Sequence, residues 1–140
     1  MDIIYTDTMT GEEYNELRLS VDWKPLTSGQ AERGLAHTAF VVAARDGERI
    51  VGMGRMLFDF GYTAYLGDVI VRPEYQRMGI GTEIVTRLKD KVMETAKPGD
   101  KIMFILGAAK GKEAFYEKFG FKQRPNDFSG SGMSMWKTKE

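Results

Sequence analysis

The residues best suited to chemistry lie close together in the sequence. Gln76-Arg77-Met78-Gly79-Ile80-Gly81-Thr82 joins an apolar, β-branched stretch, Tyr65 to Val71, to a segment where Ile80, Ile84, Val85, Leu88 and Val92 recur at helical spacing. Pro73 ends the strand, because proline has no N–H to give to a ladder. The two glycines then fall where the helix begins. First-turn N–H groups have no intrahelical partner, and the helix dipole adds partial positive charge to them. Glycine puts no Cβ between that backbone and an anion, and Arg77 adds a full charge beside the turn. Such a turn suits phosphate or diphosphate. The same glycines also serve a plain turn and close helix packing, and spacing alone leaves both readings open.

Asp68 interrupts the apolar run Leu66, Val69, Ile70, Val71. Burial raises a carboxyl pKa toward the range of a general base, so Asp68 is a candidate for proton transfer. Its other reading is structural, an aspartate bonded to nearby backbone or to a serine, threonine or tyrosine. His37 is the one histidine, far in sequence from the glycine turn, and its expected role is structural or solvent-facing. With no cysteine, the sequence offers no disulfide framework, thiolate zinc site or cysteine nucleophile. Twenty basic and twenty acidic residues cancel, so no footprint for nucleic acid or an anionic membrane is visible. No apolar run of about eighteen residues could span a bilayer, and no signal-peptide pattern is present. The expectation is one soluble, cytoplasmic domain over residues 1–140, without metal, nucleic-acid or membrane partners.

The elements that must hold these residues follow from patterning. A short strand at Ile3 to Tyr5 precedes Thr10-Gly11-Glu12-Glu13, a capping box that opens a helix carrying Tyr14, Leu17 and Val21 on one face. Thr27-Ser28-Gly29-Gln30 starts a second helix, through Leu35. Thr38 to Arg45 and Glu48 to Phe58 read as strands joined by the Asp46-Gly47 hairpin signal. The Tyr65 strand and the long helix follow, and then a central strand at Ile102 to Leu106. A short helix over Glu113 to Phe119 closes on Gly120, suited to a left-handed cap. A last strand is predicted over Gly132 to Lys137, with Met133 and Met135 on one face. The order is β-α-α-β-β-β-α-β-α-β.

Two familiar phosphate loops do not fit. The P-loop needs a lysine before its Ser or Thr, and here Gly81 is followed directly by Thr82; the dinucleotide fingerprint needs a small third residue where Ile84 stands. Gln76-Arg77-Met78-Gly79-Ile80-Gly81 instead resembles the Q/R-x-x-G-x-G/A motif of the GNAT superfamily of N-acetyltransferases. Ala114-Phe115-Tyr116-Glu117-Lys118-Phe119-Gly120-Phe121 resembles a second motif of that family, at the expected order and distance. One departure is that Ala109 stands where many members carry a cofactor-contacting asparagine.

The resemblance implies an α/β (α+β) fold: a mixed, mostly antiparallel twisted sheet of six to seven strands flanked by four helices. It also implies acetyl-CoA as co-substrate and a primary amine, expected to be a small molecule, as acceptor. The pantetheine arm would bond to backbone of Val69, Ile70 and Val71. The pyrophosphate would sit on the N–H groups of Met78, Gly79, Ile80, Gly81 and Thr82, flanked by Gln76 and Arg77, with Lys112 a further phosphate contact. Tyr116 matches the tyrosine that protonates the departing thiolate, a phenol being protonated at neutral pH. Asp68 would take the amine's proton or orient an ammonium. Trp23, between the first two helices, would line the acceptor pocket. A non-catalytic acyl-CoA sensor or scaffold of the same fold is the alternative reading. A homodimer paired through the final strand is a further expectation.

Overall fold

The computed structural model describes residues 2–140, and these cluster as two compact units, residues 2–104 and Ile105–Glu140. The first unit begins with β1 (Ile3–Thr6), followed by α1 (Gly11–Ser20) and α2 (Ser28–Ala36). Next come β2 (Phe40–Asp46), β3 (Arg49–Phe58) and β4 (Thr63–Val71). A 3-10 turn over Pro73–Tyr75 leads into α3 (Ile80–Thr95), and β5 (Met103–Ile105) follows it. The sheet order is β1-β2-β3-β4-β5, and the first three pairings are antiparallel. The expected capping box is present: the Thr10 hydroxyl accepts from the Glu13 N–H while the Glu13 carboxylate accepts from the Thr10 N–H.

Strand β3 separates the two helical layers. Alternate residues of a strand face opposite sides, and here the alternation is one of size. Met53 belongs to the core formed with Tyr14, Leu17 and Ala31 of α1 and α2. Gly52 and Gly54 face α3 instead. A Cβ on Gly54 would stand 2.6 Å from Ile84 Cγ2 and 2.9 Å from Leu88 Cδ1, so the missing side chain is what lets α3 lie against the sheet. Ile80, Ile84, Val85, Leu88 and Val92 of α3 are all buried, each worth about 1.5–3 kcal/mol of gross burial.

The second unit holds α4 (Glu113–Glu117), and Gly120 after it takes φ +98°. Among the described residues the sheet has five strands rather than six or seven, because residues 132–137 form no strand. Alternation there is real, but a strand exists only where a ladder partner takes up its N–H and C=O groups. Met133, Met135 and Trp136 are correspondingly exposed, at 95%, 77% and 91%.

Candidate functional site

The glycine-bearing turn is an uncapped helix entrance. Gly79 is the residue before α3 and takes φ +84°, and no side chain caps the helix there. The Glu83 N–H bonds to the Gly79 carbonyl at 3.0 Å, which is the first bond of the helix ladder. The N–H groups of Ile80, Gly81 and Thr82 precede that bond and have no helical partner. Arg77 is also left-handed, at φ +66°. Space beside Gly79 is open, with no atom within 4 Å of where a Cβ would stand. Gln76 braces this turn, its side-chain amide donating to the Val71 carbonyl at 2.9 Å. Gln76, Arg77 and Met78 are exposed, whereas Ile80 is buried beneath the helix.

Strand β4 carries the other half of the site and breaks its own register there. Met53 pairs with Ile70 and Arg55 with Gly67, so Gly54 alone faces both Asp68 and Val69. This is a β-bulge, and Asp68 takes φ +51° in it, a conformation that costs a non-glycine residue about 1–2 kcal/mol. Beyond the bulge run Ile70 and Val71. Strand β5 joins β4 at its beginning, where the Met103 N–H donates to the Tyr62 carbonyl at 2.6 Å. Three residues of strand extend about 10 Å, whereas Val69 lies seven residues, about 23 Å, from Tyr62. Strand β5 is too short to pair with the Val69–Val71 end.

The bulge turns the Asp68 carboxylate onto the α1 side of the sheet. Its Oδ2 accepts a hydrogen bond from the Tyr14 hydroxyl and another from Arg55 Nε at 2.9 Å. Its Oδ1 lies 4.0 Å from Arg18. Burial, followed by the hydrogen bond to Asp68 and that residue's charge, pushes the Tyr14 phenol up to about 12, so it remains a donor at neutral pH. For Arg55, burial is the largest single influence and opposes its charge. The hydrogen bond to Asp68, that residue's charge and the Tyr14 oxygen together outweigh it, and the pKa is raised. Arg55 also donates to the Thr38 hydroxyl at 3.0 Å.

Asp68 is thus an ion-paired carboxylate bonded to a tyrosine, a contact of the kind its structural reading named. Tyr14 was legible only as a core position, and Arg55 and Arg18 carried no motif. A signal did exist for Arg55: it falls in phase with buried Met53 on β3, so its charge had to point inward.

Trp23 lies beside this cluster, its ring 5.5 Å from the Arg18 guanidinium. The loop that carries it is fastened to α1 by reciprocal bonds between the Asn15 side chain and the Leu26 backbone, at 2.9 and 2.8 Å. His37 is an exposed residue at the end of α2, with Nδ1 2.9 Å from the Arg33 carbonyl. Tyr116 and Lys112 belong to the second unit. Tyr116 is on α4, its ring edge-on to Phe115 and Phe121 at 5.0 and 6.2 Å, and Lys112 immediately precedes that helix. Among the described residues, no group of three or more His, Cys, Asp or Glu is arranged to hold a metal ion. Among the same described residues, no helix is long and apolar enough to cross a membrane.

The chain is similar to known proteins along most of its length. Residues 4–121 match the acetyltransferase (GNAT) family. The uncharacterised N-acetyltransferase ycf52 of Porphyra purpurea is 25% identical over 122 residues, covering 84% of this chain and 68% of that protein. A GNAT-family acetyltransferase from Streptococcus pneumoniae shares the fold with a TM-score of 0.77 at 26% identity, covering 99% of this chain and 98% of that one. A Staphylococcus aureus protein of unknown function, described as a probable acetyltransferase, reaches a TM-score of 0.87 at 28% identity, over 97% of this chain and 100% of that one. With a bulged fourth strand feeding an uncapped, glycine-led helix, and with a match that spans most of its length, the chain belongs to the GNAT family and is an acetyl-transferring enzyme.

Proposed function

We propose that the chain transfers an acetyl group from acetyl-CoA, the family's co-substrate, to a primary amine of a small molecule, both substrates being bound at once. The observation that carries this reading is the entrance of α3: Gly79 at φ +84°, open space beside it, and no side-chain cap. The N–H groups of Gly79, Ile80, Gly81 and Thr82, with Met78 before them, would hold the pyrophosphate, and Arg77 would neutralise part of its charge. Gln76 would act by keeping the turn in shape. Lys112 is a further phosphate contact by resemblance alone. The free end of β4, Val69 to Val71, would take the pantetheine amides as a short strand partner.

Acetyl-CoA supplies a thioester carbonyl open to attack. The amine nitrogen forms a bond to the carbonyl carbon and gives up a proton, the carbon–sulfur bond breaks, and the sulfur leaves as thiolate. Asp68 would accept from the amine at Oδ1, since Oδ2 already has two donors, and take its proton directly or through water. A backbone N–H at the bulge near Val69 or Ile70 would bind the growing charge on the carbonyl oxygen. Tyr116 would give its proton to the thiolate. Trp23 would wall the acceptor side. The family match crosses from one unit into the other, which supports residues 1–140 as a single catalytic domain.

The test is release of CoA thiol from acetyl-CoA across a panel of amines. Amine-dependent release is expected. CoA binding with no release for any amine would leave a binding protein instead of an enzyme.

A further inference from the structure

The cluster around Asp68 holds more positive charge than its one carboxylate can balance. Arg55 has a close partner, with Nε 2.9 Å from Asp68. Arg18 does not. Its nearest acidic contact is the same Asp68, at 4.0 Å, although its side chain is only 12% exposed. Its Nε donates to the Lys24 carbonyl at 2.7 Å, and among the described residues its terminal nitrogens have no acceptor closer than that carboxylate. No side-chain nitrogen there is both buried and unbonded, so these N–H groups reach the surface and are open to an anion arriving from solvent.

Arg18 is also held in place. Its guanidinium carbon lies 5.9 Å from the Tyr14 ring centroid and 5.5 Å from that of Trp23. Those faces, together with the Lys24 carbonyl, fix a long side chain before any ligand arrives, so little ordering entropy remains to be lost on binding. A fixed guanidinium edge matches a carboxylate or phosphate in two-point geometry. About 4 Å away, Asp68 Oδ1 offers the opposite charge, suited to an ammonium.

Building on the acetyl-transfer reading above, we propose that the acceptor is an amine that also carries an anionic group, a carboxylate or phosphate a few bonds from its nitrogen. Arg18 binds the anion, Asp68 receives the amine, and Arg55 keeps Asp68 in place. Arg18 is then a specificity-determining residue.

The experiment measures acetyl transfer to matched pairs that differ in the anion: β-alanine against propylamine, phenylalanine against phenethylamine, and O-phosphoethanolamine against ethanolamine. The first two pairs report on a carboxylate and the third on a phosphate. In at least one pair the anionic member should show a kcat/KM ten-fold or more above its neutral partner. Arg18→Gln should reduce that ratio at least ten-fold, mainly through the KM of the anionic member. Arg18→Lys, which keeps the charge without the planar fork, should recover part of it. Circular dichroism on both variants separates lost recognition from lost folding.

Neutral amines used as well as anionic ones, or an Arg18→Gln variant that changes both members equally, would overturn the proposal while acetyl transfer stands. CoA binding without transfer to any anionic amine overturns it as well. If calorimetry finds no CoA binding and no amine is acetylated, the acetyl-transfer reading itself falls, and this proposal with it.

Discussion

Gly54→Ala puts the packing of α3 on the sheet to a quantitative test. The added methyl would stand 2.6 Å from Ile84 Cγ2 and 2.9 Å from Leu88 Cδ1, well inside ordinary contact. Ile84 and Leu88 are both fully buried, and the Ile84 methyl sits on a β-branched carbon that cannot swing away. Overpacking of this kind costs about 1–3 kcal/mol. Replacing glycine returns roughly 0.4–1 kcal/mol through the unfolded chain, so the net loss should be about 0.6–2 kcal/mol. For a chain of 140 residues, an unfolding entropy near 2.1 cal/mol/K per residue makes that a fall in Tm of roughly 2–7 °C. Gly52→Ala is the graded control, because its nearest contacts would be 3.1 and 3.3 Å, and it should lose less. Thermal unfolding followed by circular dichroism reads both. In a double-mutant cycle, Ile84→Ala should make Gly54→Ala less harmful, since the clashing methyl is gone. A Gly54→Ala protein as stable as wild type, or one no worse than Gly52→Ala, would refute the argument that this glycine sets the helix-to-sheet distance.

Three further outcomes can be measured, the first resting on the proposed mechanism and the other two on the structure. Tyr116→Phe should lower turnover far more than it weakens CoA binding, as kinetics and calorimetry together would read; equal losses would remove the hydroxyl from proton delivery. Glu13 is held below the usual carboxylate range, first by its hydrogen bond to Arg45 at 2.5 Å, against a smaller opposing effect of burial. Its contribution to stability is present above the ordinary glutamate value, near pH 4, and is lost as pH falls through the depressed folded value. Urea unfolding of wild type and Glu13→Gln should therefore converge in acid, and a gap that persists at low pH would contradict this. Tyr14 is pushed up to about 12, so the unfolded chain ionises first and the stability tied to its protonated form is lost between roughly pH 10 and 12. Ultraviolet titration should show that Tyr14→Phe removes a late-titrating tyrosine, and an unchanged alkaline limb would count against the buried bond to Asp68.

Much of the scaffold could be read from the sequence because its signals are local. Thr10 and Glu13 announce the start of α1, and the Asp46-Gly47 pair marks the β2–β3 hairpin. The five apolar positions read at helical spacing in α3 are the five that are buried, while Met93 lies off that face and is exposed. What escaped was set by pairing at a distance. The bulge at Asp68 arises because one residue of β3 faces two of β4, and its one local hint in the run Leu66 to Val71 is Gly67, since a glycine inside a strand often marks a bulge. The partners of Asp68 come from α1, 54 positions away, and from β3, 13 positions away, so the carboxylate looked solitary in the sequence. The expected strand over residues 132–137 failed for the converse reason. Its alternation is a local signal, but a ladder needs a second strand.

The central claim is that the entrance of α3 grips a diphosphate, and isothermal titration of coenzyme A tests it most directly. Wild-type protein should give saturable heat. Folded Gly79→Val should give none, because a branched side chain at φ +84° is strained and stands where the phosphate belongs. Flat titrations of well-folded wild-type protein with coenzyme A and acetyl-CoA, or a Gly79→Val variant with wild-type affinity, would contradict the account.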